Sequence, residues 1–313
     1  MIPNALEALK QFTTVVADTG DFESMRAYQP QDATTNPTLI IRALDKPQYA
    51  GILDSVKEQA SGKKLADKSR RVLVAFGAEI LKIIPGRVST EVDARLSFDA
   101  QATVAEAQKI IEAYAAQGID KSRVLIKVAA TWEGLKAVSE LEKQGIACNV
   151  TLIFSLVQAA AAADAGATLI SPFVGRISDW HKKAGLEWDS PEQDPGVLSV
   201  KKIYAYLKHH RFHTEVMGAS FRNVGQVLAL AGCDLLTVSP ELLEQLRTMD
   251  NESSLERALD PQSQAPGQAT AALNTSEPLF RFVLNEDVMA SEKLTEGIRL
   301  FVADARKLDA RLA

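Results

Sequence analysis

Residues 123–130 read Arg123-Val124-Leu125-Ile126-Lys127-Val128-Ala129-Ala130, a short apolar run with one lysine in its middle. A run that is apolar on both faces predicts a strand of a parallel sheet covered by helices. Burial of an unpaired ammonium is costly and is usually relieved by loss of the proton, and a neutral lysine amine is a nucleophile that can form a Schiff base. The alternative is that Lys127 lies at a strand end and extends its ammonium to solvent.

Short β-type runs of this kind alternate with longer helical segments along the chain. The predicted strands are 13–18, 33–36, 88–93, 124–128, 147–152, 168–173, 214–219 and 235–239. Between them, apolar residues recur at helical spacing, as at Val104, Ala107, Ile111 and Tyr114. Eight alternating units predict an α/β fold, a closed (β/α)₈ TIM barrel of parallel strands.

Two segments depart from a minimal barrel, and one helix is added to it. A long helical stretch spans 37–84, and residues 250–278 are rich in Ser, Gln, Asn and Pro, which predicts an irregular surface connection. One helical segment is expected after it, an amphipathic C-terminal helix with apolar positions at Leu294, Ile298, Phe301, Val302, Ala305 and Leu308. No linker divides the chain, so we expect one barrel domain over residues 1–313.

The composition is that of a soluble globular enzyme, and it limits the kinds of binding partner that we expect. Of 313 residues, 46% are hydrophobic and 24% charged, and the net charge is −5 without a basic stripe, which argues against nucleic-acid binding. No apolar run approaches the roughly 18 residues of a membrane span, and the N-terminus carries no secretory pattern, so no membrane partner and a cytoplasmic location are expected. Cys148 and Cys233 lie in apolar segments, as reduced core thiols do.

Polar side chains stand at or near the ends of these otherwise apolar strands. They are Asp18, Thr34, Asn36, Glu91, Lys127, Asn149, Thr151, Ser171, Ser220 and Ser239. In a barrel the C-terminal strand ends converge on one face, where active sites are built. Any single one of these residues could be a satisfied strand end or a helix cap, but together they predict a site.

These groups permit carbonyl chemistry on an anionic substrate. Imine formation and carbon–carbon cleavage both need proton transfer, which Glu91 and Asp18 could divide between them. Thr151 and Asn149 could hold a water or a substrate hydroxyl without adding charge. After the sixth and seventh strands come Arg176 and Arg222, with Ser220 beside the latter, and guanidinium groups suit a phosphate. The alternative for each arginine is a surface position at a helix start.

Several motifs occur in one register and resemble transaldolase. They are Val15-Val16-Ala17-Asp18-Thr19-Gly20, Asp32-Ala33-Thr34-Thr35-Asn36-Pro37, Val88-Ser89-Thr90-Glu91-Val92-Asp93-Ala94-Arg95, Ile126-Lys127-Val128-Ala129, Asn149-Val150-Thr151-Leu152 and Ser171-Pro172-Phe173-Val174-Gly175-Arg176. The resemblance runs from about residue 12 to residue 240 and implies a single (β/α)₈ barrel without cofactor or metal.

The resemblance also implies an activity and its residues. A dihydroxyacetone unit would pass from sedoheptulose 7-phosphate to glyceraldehyde 3-phosphate, giving erythrose 4-phosphate and fructose 6-phosphate, in the non-oxidative pentose phosphate pathway of the cytoplasm, catalysed by a homodimer. By motif position, Lys127 would form the Schiff base, Asp18 would act as acid and base, and Glu91 would work through a water held by Thr151. The positions that match substrate-binding residues are Asn36, Thr34, Asn149, Ser171, Phe173, Arg176, Ser220 and Arg222, the last three for phosphate.

Three alternatives remain at this point. A metal-dependent aldolase would need a ligand cluster, but His209, His210 and His213 precede the seventh strand and are expected at the opposite rim from the site. A fructose 6-phosphate aldolase-like enzyme would use the same lysine and release free dihydroxyacetone. A non-catalytic barrel could bind sugar phosphates, although it would not need both the lysine and the carboxylates.

Overall fold

Eight parallel strands form a closed barrel in the computed structural model, which describes residues 4–250, 255–261 and 271–313. The strands are Thr14–Asp18 (β1), Asp32–Thr34 (β2), Val88–Glu91 (β3), Val124–Ala129 (β4), Cys148–Ile153 (β5), Leu169–Pro172 (β6), Glu215–Gly218 (β7) and Leu235–Val238 (β8). Neighbours in sequence are neighbours in the sheet, and β8 pairs with β1 to close it. The predicted TIM barrel is confirmed.

Helices surround the strands. They are Ala5–Leu9 (α1), Phe22–Met25 (α2), Pro37–Leu44 (α3), Ala50–Gln59 (α4), Leu65–Leu81 (α5), Ala100–Ala115 (α6), Trp132–Lys143 (α7), Leu156–Asp164 (α8), Gly175–Lys183 (α9), Pro195–His209 (α10), Val224–Leu228 (α11), Pro240–Thr248 (α12), Glu277–Glu286 (α13) and Val288–Leu312 (α14). Side chains cap several of them; Thr131, for example, accepts a hydrogen bond from the Gly134 amide at the start of α7.

Alternation along β4 decides which way Lys127 points. Val124, Ile126 and Val128 belong to the large core between strands and helices. Leu125 belongs to a small cluster inside the barrel, whose other buried members are Val16, Leu169, Met217 and Leu235. Successive strand residues face opposite sides, so Lys127 shares the inward face with Leu125. It is only 5% exposed, and the alternative in which it extends to solvent is wrong.

The segments around the barrel differ from the prediction in two places. Asn36 is not a strand residue, because β2 ends at Thr34 and Asn36 caps α3 by accepting a hydrogen bond from the Leu39 amide. Two helices, not one, follow the predicted irregular connection, because α13 begins at Glu277 and is held by Phe280, whose ring packs 5.4 Å from that of Trp132. Residues 251–254 and 262–270 of that connection lie outside the described residues.

The predicted C-terminal helix is confirmed as α14, which buries Leu294, Ile298, Phe301, Ala305 and Leu308. It contacts β5, α9, α5 and α3 and therefore crosses the barrel at the end where the strands finish. Within the described residues, none of the helices combines the length and the apolar character needed to cross a membrane. Both cysteines are free and buried, as predicted, and burial raises the pKa of Cys233 to about 12.

Candidate active site

Lys127 and Glu91 lie side by side inside the barrel because the register of β3 and β4 pairs them directly. Their Nζ and Oε2 atoms are 3.5 Å apart, and their side chains are 7% and 4% exposed. Burial raises the pKa of Glu91, and the Lys127 ammonium opposes that shift. A buried carboxyl of raised pKa beside an amine is suited to giving and taking protons.

Asp18 ends β1 and is paired in register with Thr34 of β2. The Thr34 hydroxyl donates to Asp18 Oδ1 at 2.9 Å and lies 2.9 Å from the hydroxyl of Thr237. Burial raises the pKa of Asp18, while Lys127, the bond from Thr34, Arg176 and Arg42 act in the opposite direction. Asp18 is thus oriented by a neutral donor and kept readily protonated.

The raised pKa of Asp18 predicts an effect on stability. Between its ordinary value of 3.8 and the raised value, the folded protein retains a proton that the unfolded chain releases, so stability falls as pH rises through that window. In Asp18→Asn this loss disappears while Thr34 keeps an acceptor. The free energy of unfolding at neutral pH should rise by on the order of 1 kcal/mol, and the gain should vanish below the ordinary carboxyl range. Urea denaturation at several pH values measures it, and a pH-independent difference would contradict the assignment.

Three polar side chains form a chain across the barrel floor. Ser171 donates to Asn149 Oδ1 at 2.5 Å, and Asn149 Nδ2 donates to the Ser89 hydroxyl at 3.0 Å. Both ends of the Asn149 amide are therefore used, and Asn149 is fully buried. Asn149 thereby links the hydroxyls of Ser171 and Ser89. Ser89 was not among the predicted site residues.

Two buried oxygens at the site have no hydrogen-bond partner among the described residues: Thr151 Oγ1 and Glu91 Oε2. Thr151 precedes Leu152, which has a left-handed φ of 58° where the register between β5 and β6 shifts. Strain of this kind in a non-glycine residue is concentrated at functional sites. Unpartnered buried oxygens are the groups that a water or a substrate hydroxyl satisfies.

A cavity of about 500 Å³ opens above these groups at the C-terminal strand ends. Ten predicted site residues line it, namely Asp18, Thr34, Asn36, Lys127, Thr151, Ser171, Phe173, Arg176, Ser220 and Arg222. Glu91 and Asn149 lie below its surface. Asn36 is both a helix cap and a lining residue, since its side-chain oxygen serves α3 and its amide nitrogen remains for a ligand.

Arg176 is held between two aromatic rings at one side of the cavity. Its guanidinium carbon is 5.1 Å from the centre of the Phe173 ring and 5.8 Å from that of Phe301. Its Nη1 is buried and makes no hydrogen bond with any described residue. Burial and the nearby Arg222 lower the pKa of Arg176 from its ordinary value. A guanidinium that stacks on aromatic rings and has a buried nitrogen without a hydrogen-bond acceptor is well placed to bind an anionic ligand.

Arg222 is oriented by its neighbours. Its guanidinium donates to Asp179 at 3.0 and 2.8 Å and lies 3.4 Å from the Ser220 hydroxyl. Ser220 has a left-handed φ of 63°, and its carbonyl accepts the Gly175 amide at 2.7 Å. A Cβ at Gly175 would lie 2.4 Å from that carbonyl oxygen, so only glycine permits this approach. The two arginine-bearing loops are thereby joined.

Some residues of the site were not predicted from the sequence. Phe301 of α14 and two cations of the α3 region, Arg42 and Lys46, also line the cavity. Buried Gln226 accepts a hydrogen bond from the Arg222 backbone amide at 2.8 Å and donates one to Asp194 at 2.8 Å. It therefore fixes the loop that carries Arg222. The helical pattern indicated that Phe301 is buried. No local feature of the sequence indicates that Phe301 packs against the strand ends.

The three histidines that precede β7, His209, His210 and His213, lie where they were expected. His213 lines a separate cavity with Arg87, Thr168 and Thr214, which precede β3, β6 and β7 and so mark the opposite rim. Over residues 4–250, 255–261 and 271–313, no group of three His, Cys, Asp or Glu side chains has the arrangement of a metal site.

A comparison with protein-family models matches most of the chain. The model described as transaldolase/fructose-6-phosphate aldolase matches residues 15–312, which is nearly the whole chain. Apart from Thr14, the matched range includes the residues of all eight strands, and it includes α14. This chain therefore belongs to the transaldolase/fructose-6-phosphate aldolase family, whose members are aldolases and transferases that act on sugar phosphates.

Proposed function

We propose that the protein is a transaldolase that moves a dihydroxyacetone unit from sedoheptulose 7-phosphate to glyceraldehyde 3-phosphate through a Schiff base on Lys127. The observation that carries the proposal is the buried Lys127 amine, 3.5 Å from Glu91 and in one cavity with Asp18. Such an amine can attack a ketose carbonyl while two separate carboxyls handle protons. The products would be erythrose 4-phosphate and fructose 6-phosphate, as in the non-oxidative pentose phosphate pathway, and the proposed location of the enzyme is the cytoplasm.

Imine formation uses Lys127 and Glu91. Burial raises the pKa of Glu91, so its carboxyl can serve as a proton donor and acceptor beside the amine. The amine adds to the ketose carbonyl, and Glu91 then returns a proton so that the carbinolamine hydroxyl leaves as water. Thr151 Oγ1 and Glu91 Oε2, which are buried and make no hydrogen bond with a described residue, are the atoms that would hold the water that carries this proton.

Carbon–carbon cleavage uses Asp18. Its carboxylate takes the proton of the hydroxyl next to the bond that breaks, and the electrons of that bond flow into the iminium. The aldehyde leaves, and an enamine stays on Lys127. An acceptor aldehyde reverses these events: the enamine carbon attacks it, its oxygen takes the proton from Asp18, and water releases the new ketose. A carboxyl with raised pKa can serve in both directions.

The arginines would bind the phosphate of donor and acceptor alike. Arg176 has an unpartnered buried Nη1, and the Ser220 hydroxyl lies beside Arg222. A single phosphate site used by both substrates fixes where each reactive carbon stands relative to Lys127. Binding the phosphate in this way would position the bond that breaks near Asp18.

Removal of Arg222 should separate binding from chemistry. In Arg222→Ala one charge-assisted contact to phosphate is lost, worth about 1.5–3 kcal/mol, so KM for fructose 6-phosphate should rise about 10- to 100-fold while kcat changes little. Steady-state kinetics with fructose 6-phosphate and with fructose check it. The control is Arg281→Ala, which removes a surface ion pair with Glu133 and Glu277. Equal losses on both sugars would exclude a phosphate role.

The proposed function is tested by trapping. The protein is incubated with fructose 6-phosphate and borohydride, and the Lys127 peptide is examined by mass spectrometry for a reduced three-carbon adduct. With erythrose 4-phosphate present, a transaldolase forms sedoheptulose 7-phosphate, whereas a fructose 6-phosphate aldolase-like enzyme accumulates free dihydroxyacetone. An active enzyme whose Lys127 stays unmodified would refute the Schiff-base mechanism.

The resemblance also suggests a homodimer as the working unit, with sugar phosphates as its partners and without nucleic acid or membrane. Sedimentation at micromolar protein concentrations distinguishes monomer from dimer.

A further inference from the structure

An apolar cluster lies at the C-terminal end of the barrel, apart from the main core. Its buried members from α14 are Met289, Ala290, Leu294, Ile298 and Phe301. Those from the barrel are Ala94, Ala129, Leu152, Phe154, Phe173, Ile177 and Ala219, which lie at or just beyond the ends of β3 to β7. We call this cluster the α14 wall. It places an apolar surface over one side of the candidate active site.

Phe301 is the residue of the α14 wall that contacts the reacting end of the cavity. It is 4% exposed, lines the cavity, and has its ring centre 5.9 Å from Lys127 Nζ. The same ring stacks on Arg176. A phenyl ring has no proton to give and no hydrogen bond to offer a water, so it keeps the space beside the amine dry.

The helix is fixed in this position by polar contacts beyond Phe301. Asp304 accepts a hydrogen bond from Thr38 of α3, and Asp309 accepts from Ser69 of α5 at 2.6 Å and from Arg95 at 2.7 Å. Before Phe301, a Cβ at Gly297 would lie 2.7 Å from Leu152 Cδ2, so the glycine allows α14 to approach β5 closely. Phe301 is therefore held in place from both sides along the helix.

Another part of the cavity has a different character, because its lining is polar and includes Asp21, Lys46 and Glu241. Lys46 and Asp21 form an ion pair with side chains 46% and 20% exposed, so this part faces solvent. Substrates can enter from the polar part, while the α14 wall limits water on its own side.

We infer that Phe301 determines how the enamine on Lys127 is partitioned between transfer and release. This inference depends on the proposed function. In release, the enamine carbon takes a proton from water or an acid to give the iminium of dihydroxyacetone, and water then hydrolyses it to free dihydroxyacetone and the amine. In transfer, the same carbon bonds to the acceptor aldehyde. By keeping proton donors from the enamine carbon, Phe301 slows the first route without entering the second.

The experiment compares Phe301→Ala and the milder Phe301→Leu with the unaltered protein. Each is given saturating fructose 6-phosphate in D₂O, with and without erythrose 4-phosphate, and dihydroxyacetone and sedoheptulose 7-phosphate are quantified by NMR. The ratio of release to transfer should rise about tenfold in Phe301→Ala, equivalent to about 1.4 kcal/mol in relative barrier height, and by a smaller factor in Phe301→Leu. The released dihydroxyacetone should carry one deuterium on carbon.

The control is Phe282→Ala, because Phe282 is 58% exposed on α13 and should leave the ratio unchanged. Thermal denaturation identifies any variant that fails to fold, and Phe301→Leu then carries the test alone. An unchanged ratio in a folded Phe301 variant that still gives the borohydride adduct overturns the inference and leaves the proposed function intact. No adduct in the unaltered protein overturns the proposed function itself.

Discussion

Lys127→Met should lose transaldolase turnover by at least about 10⁴-fold, because no other group can replace a covalent nucleophile. Methionine keeps most of the length of the side chain without the charge, and burial raises the pKa of Glu91, so that carboxyl can take up a proton when its cation is removed. The fold should therefore survive. The measurements are coupled-assay kinetics with fructose 6-phosphate and erythrose 4-phosphate, borohydride trapping, and circular dichroism.

The matched control for this variant is Lys136→Met, which removes a lysine whose side chain is 58% exposed on α7. It should keep both turnover and the adduct on Lys127. Retained turnover in a correctly folded Lys127→Met protein would mean that the nucleophile is another group and would remove the basis of the proposed function.

Asp18→Asn should lower kcat by about 10²- to 10⁴-fold, the usual contribution of a general acid–base. The loss should fall on carbon–carbon cleavage alone, since Lys127 and Glu91 can still form the imine. Borohydride should then trap a six-carbon adduct of fructose 6-phosphate on Lys127, whereas the unaltered protein gives the three-carbon adduct. Mass spectrometry of the Lys127 peptide separates the two.

The control for this step is Asp54→Asn on α4, where the carboxylate is exposed. It should leave both the rate and the three-carbon adduct as they are. A three-carbon adduct formed at the normal rate by Asp18→Asn would assign proton removal to a different group, with Glu91 as the next candidate.

The strands and most of the site could be predicted because both depend on local rules. Alternation along β4 puts Lys127 on the face opposite to Ile126, and parallel strands bring their C-terminal ends together. Parity alone does not state which face is inside, and the structure decides this by placing Leu125 in the cluster within the barrel. The register then sets Glu91 beside Lys127. Asn36 was placed at the right rim, although in the wrong kind of element, because a strand end and a helix cap are adjacent there.

The unpredicted residues share a different cause. Gln226 supports Arg222 through its side-chain oxygen and Asp194 through its nitrogen, and these contacts join α11, the loop before it, and the start of α10. The helix α13 was missed because Phe280 finds its partner Trp132 far away in the chain. Such contacts are decided by how helices pack around the closed barrel and leave no periodic signal at either position.

The amino-acid sequence by itself determined the eight strands, the alternation that separates Lys127 from its apolar neighbours on β4, the polar strand ends and the family motifs, because strand periodicity and strand-end chemistry are local properties of the sequence. Only the tertiary structure decided that α14 returns across the strand ends and sets Phe301 beside the amine. An amphipathic helix specifies that it must bury one face, whereas the surface that receives that face exists only after the barrel has closed.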